Sequence, residues 1–170
     1  MTPTTLEALQ TQLVAWAAGI SGRDVVVDDE GGPPPAAPFV ALSLRRCTPI
    51  EHDRVVVSRE AENVRTLYQL RWRVTLFGGA ALADASRLRA SLWSARRWWD
   101  LWALAGLGAV SSLQNLSALE TGRLRARAEF QLTLHAVLEW HSPPQYFTHQ
   151  RIDLFETDLG LIATLKPGDC

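Results

Sequence analysis

Lysine is almost missing from this chain of 170 residues: Lys166 is the only one, and arginine supplies the rest of the 17 basic residues. A GC-rich coding sequence explains that bias as well as phosphate recognition does, so it is not read as a nucleic-acid signature. Cysteine is scarce too. Cys47 and Cys170 have no metal-ligand spacing and no nucleophile context, and a disulfide between them would have to pin the last residue, so a reducing compartment is the simpler expectation. No apolar run approaches the ~20 residues that a membrane-spanning helix needs. Leu13 to Ile20 is apolar but has no basic flank before it, which argues against a signal peptide and for synthesis in the cytoplasm. Phosphate-cradling glycine loops with lysine, a Gly-x-Ser-x-Gly elbow and Rossmann glycine spacing are all absent. His52, His135, His141 and His149 lack the paired short spacing of a zinc site. The expectation is a chain that is not an enzyme and uses no cofactor or metal.

What remains is an ordinary globular composition, 47% hydrophobic and 21% charged, on a chain long enough to bury a substantial core. Residues 4 to 19 read as a helix capped by Thr4 or Thr5, with Leu6, Leu9, Leu13, Trp16 and Ala17 on one face and Gly19 and Gly22 as stops. Val25 to Val27 reads as a short strand, and Asp28 to Pro35 as a rigid acidic loop. Phe39 to Cys47 and Val55 to Glu60 read as an antiparallel pair.

Two long strands share an unusual pattern. From Leu70 the chain reads Leu-Arg-Trp-Arg-Val-Thr-Leu-Phe-Gly-Gly, placing Leu70, Trp72, Val74 and Leu76 on one face and Arg71, Arg73 and Thr75 on the other. Residues 123 to 140 alternate similarly from Arg123, Arg125 and Arg127 onward, over a length that predicts a bulge, a bend or a projection beyond the sheet. If the strands are neighbours, their guanidinium groups repel unless carboxylates lie over them. The readings are a solvated face with scattered acidic partners, an acidic protein surface, or DNA, and of the two functional ones protein contact is favoured.

Between these strands, Ala80 to about Ala105 reads as one long helix or two shorter ones. Leu82, Ala85, Leu88 and Leu92 form its apolar stripe, Asp84, Arg87 and Arg96 face away, and Gly106 and Gly108 end it. Residues 109 to 122 read as loop or short strand. Trp93, Trp98, Trp99 and Trp102 crowd this region and cannot all face one way on a helix. Some fill the core, and any on the opposite face, with Trp98 and Trp99 the candidates, would suit a subunit interface. Charge is also uneven: residues 65 to 127 hold ten Arg against Asp84, Asp100 and Glu120, a surplus of seven, while the whole chain carries −1. Two differently charged faces would suit stacked neighbours. After Pro143-Pro144, the segment with Tyr146, Phe147, Leu159, Leu161 and Ile162 is too apolar for a solvated tail and reads as an arm that orders on a partner, by adding a strand to an exposed edge.

The layout resembles the neck or tail terminator proteins of tailed bacteriophages. The resemblance rests on the proline-rich lead into Pro38-Phe39-Val40, the strand ending Leu76-Phe77-Gly78-Gly79 before an Ala-rich helix, and the Arg123 to Leu134 strand after Leu-Ser-Ala-Leu; it covers most of residues 4 to 140. It implies a structural virion protein in the phage neck: a ring of typically six subunits that caps the tail tube and joins it to the head connector. Its partners would be copies of itself, the tail tube protein, the connector or a portal-adjacent protein, and the sheath if the tail contracts, with DNA passing through unread and no membrane. A head-completion protein and a nucleic-acid-binding module using the arginine face are the alternatives. The expected fold is α+β: a mainly antiparallel sheet with two helices packed on one face over residues 1–142, and a C-terminal arm over 143–170. The interface candidates are Arg71, Arg73, Arg125, Arg127, Trp98, Trp99, Tyr146, Phe147, Leu159, Leu161 and Ile162.

Overall fold

Helix α1 spans Leu6–Ser21 because its start is capped and one of its faces can be buried. The Thr5 side-chain oxygen accepts the Ala8 amide at 3.2 Å, satisfying a donor that the helix N-terminus leaves free. Glu7 sits in the first turn, where the helix dipole favours a carboxylate. Leu9, Leu13, Trp16 and Ala17 are buried, the stripe that helical spacing predicts. Gly19 does not stop the helix. Gly22 does, at φ 65°, donating its amide to the Ala18 carbonyl at 2.8 Å in a left-handed cap that needs no Cβ.

The computed structural model describes residues 2–27, 35–52, 54–57, 62–94, 99–120, 123–142, 152–156 and 160–165. Its elements continue with β1 (Asp24–Val27), β2 (Phe39–Pro49), β3 (Arg54–Val57), β4 (Glu62–Phe77), α2 (Ala81–Ser91), α3 (Trp99–Leu104), β5 (Ala105–Val110), β6 (Gln114–Asn115), β7 (Ala118–Glu120), β8 (Arg123–Arg125), β9 (Arg127–Ser142), β10 (Ile152–Glu156) and β11 (Gly160–Leu165). The acidic loop expected at 28–35 falls almost wholly outside the described residues.

The main sheet runs in the order β1-β2-β4-β9-β5, antiparallel except where β1 lies parallel to β2. β4 and β9 pair along their whole lengths, from Glu62 opposite Ser142 to Phe77 opposite Arg127. β2 and β3 do not pair with each other, contrary to the sequence reading. Each lies along the same edge of β4, β3 on Glu62 to Arg65 and β2 on Tyr68 to Phe77. β4 begins well before Leu70, and its length lets one edge accept both strands. The last long strand is broken at Ala126, so β8 leaves the sheet to pair with β7 as a separate hairpin.

One core fills the space between the sheet and the three helices. Leu70, Trp72, Val74 and Leu76 from β4 and Phe130, Leu132, Leu134 and Leu138 from β9 meet the α1 stripe, Ala81, Ala85 and Leu88 of α2, and Leu101 of α3. Trp16 donates its indole N–H to Ser91 Oγ at 3.0 Å, tying α1 to the end of α2. The second helical region is two helices, and α2 is rotated from its expected phase. Leu82 is 44% exposed, while Asp84, expected outward, is buried. Gly106 and Gly108 lie inside β5 instead of ending a helix.

The Asp84 burial is explained by Arg23, just before β1. Arg23 donates from Nη1 to the carbonyls of Phe77 (2.9 Å) and Gly78 (3.0 Å), and from Nη2 to Asp84, whose other oxygen takes a hydrogen bond from Arg87. Burial acts to raise the Asp84 pKa, but hydrogen bonds and charge from Arg87 and Arg23 outweigh it and hold the carboxyl below its ordinary value. The Phe77-Gly78-Gly79 turn is fixed at the same point: Gly78 has φ 72°, and a Cβ there would come within 2.8 Å of the Ala37 Cβ.

Candidate assembly surface

Strand alternation sends one set of side chains to the helices and the other to a sheet face over which, among the described residues, no helix packs. Cross-strand register arranges that open face in rows. Moving along β4 from its start, these are Arg54, Arg65 and Glu139; Ile50, Leu67 and Val137; Thr48, Gln69 and His135; Arg46, Arg71 and Thr133; Ser43, Arg73 and Gln131; Ala41, Thr75 and Glu129; and Phe39, Phe77 and Arg127.

Three of the arginines on this face, Arg65, Arg73 and Arg127, have their countercharge in the sheet itself. Arg65 reaches Glu139 Oε1 from both Nε and Nη2 at 2.9 Å. Glu129 is buried between Arg73 Nε and Arg127 Nη2, each 3.4 Å away, and accepts from Thr75 Oγ1 at 3.4 Å. Arg127 also lies over the Phe77 ring at 5.3 Å, and Phe77 stacks on Phe39 with centroids 4.7 Å apart. Those contacts seal one end of the face. His135, half-buried, meets Gln69 at 3.4 Å between ring and amide nitrogens.

Arg71 differs. It is exposed, and its cross-strand partner is another exposed arginine, Arg46. The register slips between Leu44 and Arg46, so Arg45 and Arg46 together stand opposite the one residue Arg71. Among the described residues, no carboxylate pairs with any of the three. Like charges directly opposite weaken a sheet. Two rows away lies the apolar trio, with Ile50 50% exposed.

The expected interface residues therefore separate. Arg73 and Arg127 share Glu129, whereas Arg71 belongs to the trio that no carboxylate among the described residues pairs with. Arg125 is exposed on the β7–β8 hairpin, opposite Ala118 and off the main sheet. Trp98, Tyr146, Phe147 and Leu159 lie outside the described residues. Trp99 opens α3, and Leu161 and Ile162 lie in β11. β11 pairs with β10, Leu161 opposite Phe155, so one edge of the expected added strand is already used within the chain. Sequence reasoning missed Arg45, Arg46 and Ile50, and it passed over Trp93, which projects at 69% exposure beyond α2. The signal was present as Leu44-Arg45-Arg46-Cys47, where two adjacent arginines interrupt a strand's alternation as a bulge does.

No group of metal-ligating side chains occurs among the described residues, and no helix there is long and apolar enough to cross a membrane. The fold and this face define a class: a two-layer α+β protein with one helix-covered and one open sheet face, and a hairpin beyond the main sheet. A family model described as phage neck terminator protein matches residues 7–159, most of the chain, so the chain belongs to that family. It is a structural protein of the phage neck, a virion component that associates with other neck and tail proteins. No match is found among curated proteins. The family match extends past Ser142 through β10, further than the resemblance seen in the sequence.

Proposed function

We propose that this chain is the subunit of a closed ring, six-membered by analogy with similar proteins, that caps the tail tube and joins it to the head connector while DNA passes through unread. The observation that carries the reading is the open sheet face of a neck terminator chain: two rows apart it bears an apolar row with Ile50 exposed and arginines that no carboxylate among the described residues pairs with, a mix characteristic of protein interfaces, where Arg concentrates. Each subunit has two unlike edges, β1 and β5, and unlike contacts close into a ring when the rotation between neighbours fits. Residues 143–170 act as an arm toward a neighbour, and the mechanism is surface complementarity without bond chemistry.

Electron microscopy of the purified protein, alone and mixed with tail tube protein, tests this. Rings of uniform subunit number are expected in at least the second sample. A chain that stays monomeric on assembled tail tubes overturns the reading.

A further inference from the structure

The trio Arg45, Arg46 and Arg71 stands out because the other arginines of the open face meet a carboxylate on the sheet or beside it. Arg65 has Glu139, Arg73 and Arg127 have Glu129, and Arg54 has Glu51 at 3.6 Å. The apolar row Ile50, Leu67 and Val137 lies two rows away on the same face. A matching surface would be acidic and apolar together. The C-terminal part of the chain is one such segment, and it differs from the acidic stretch after Val27 in carrying aromatic and branched apolar residues among its carboxylates. From Ile152 to Leu165 it carries Asp153, Glu156 and Asp158 with no basic residue, among Leu154, Phe155, Leu159, Leu161 and Ile162. Its ends pair as the hairpin β10–β11.

We propose that the C-terminal hairpin of one copy docks on the Arg46–Arg71 and Ile50–Leu67–Val137 rows of a second copy. This deepens the ring reading and rests on it. Carboxylates set among large apolar residues suit the hairpin to both rows, and the apolar row selects protein over a phosphate backbone, since phosphates gain nothing from Ile50. The ring reading, together with a chain that leaves Ser142 pointed away from the Arg71 row, favours a second copy. β9 carries Ser142 nine residues, about 30 Å, beyond the Arg71 row. Returning to its own arginines would take the whole extended reach, ~30 Å, of residues 143–151.

The test uses full-length variants in native mass spectrometry and electron microscopy, with tail tube protein present and absent. Arg46→Glu with Arg71→Glu removes the acceptor, and Asp153→Lys with Glu156→Lys removes the donor. Each variant alone should self-associate at least about tenfold more weakly than the wild type. An equal mixture should assemble with the two variants alternating, because the acidic hairpin of one fits the arginines of the other and the reversed pair is complementary too, and all four changes in one chain should restore assembly for the same reason. Rings that form normally from both variants overturn the docking while leaving the ring reading intact. Unchanged assembly with a salt-sensitive loss of duplex DNA binding in the acceptor variant would assign the arginines to nucleic acid and also overturn it. A wild-type chain that never assembles removes both.

Discussion

Arg23 and Asp84, sixty-one residues apart, form a buried ion pair that joins the end of the first helix to the second helix and to the turn after β4. The Arg23 side chain is 5% exposed and that of Asp84 10%, so neither charge has water to fall back on. The pair explains why α2 presents Asp84 inward and leaves Leu82 outside.

Replacing Asp84 by Ala should therefore be severe. It strands the Arg23 guanidinium, and breaking a buried pair from one side costs about 3–5 kcal/mol. Arg87→Ala removes a partner whose side chain is 67% exposed and should cost far less. Thermal and urea unfolding of both variants measure the difference. Equal effects would show that Arg23 is not the dominant partner.

The same carboxylate sets an acid limit. Its pKa is lower in the folded chain than in the unfolded one, so its contribution is complete above the unfolded value, about 3.9, and is lost as pH falls through the folded value. Wild-type stability should drop below about pH 4 more steeply than that of Asp84→Asn. Unfolding midpoints across pH 2 to 7 report it, and parallel curves would refute it.

Gly78→Ala should destabilise the turn twice over, through its positive φ and through the 2.8 Å approach to the Ala37 Cβ. A loss of ~1–3 kcal/mol is expected from the backbone strain alone. Gly22→Ala, where φ is also positive but nothing lies within 4 Å of the added Cβ, should cost less. Comparing the two melting temperatures checks the steric part.

Two neighbouring charges on the open face should respond oppositely. Glu129→Gln removes the charge that Arg73 and Arg127 share; because both arginines are partly exposed, at 34% and 41%, stability should fall by no more than about 1 kcal/mol. Arg71→Gln relieves its opposition to Arg46 and should leave stability unchanged or raise it by ~0.5 kcal/mol. A destabilised Arg71→Gln chain would mean that Arg71 has an intramolecular role.

Trp93→Ala should leave the melting temperature within a degree or two, because the indole is 69% exposed. If exposed indoles of this region lie at a subunit boundary, it should weaken ring assembly on tail tubes, as seen by electron microscopy. Full assembly would exclude Trp93 from the boundary.

The alternation from Leu70 to Leu76 determined by itself which face of β4 is buried, because a strand has a period of two and a one-residue slip would bury arginines. Thr5, Gly22 and the stripe from Leu9 to Ala17 made α1 legible for a similar reason, since caps and period act within a few residues. The phase of α2 was not legible: Leu82 and Asp84 exchange their expected places because Arg23 arrives from far along the chain to neutralise the carboxylate. Nor was the fate of the arginines. Their residue type and alternation placed them on one face, but only the register of β4 with β9 put Glu129 between Arg73 and Arg127. Only the slip in β2 set Arg45 and Arg46 against Arg71. Local propensity acts over a few residues and writes itself into the sequence as spacing. Charge pairing across strands depends on which distant residues the register brings opposite, and tertiary structure alone decides that.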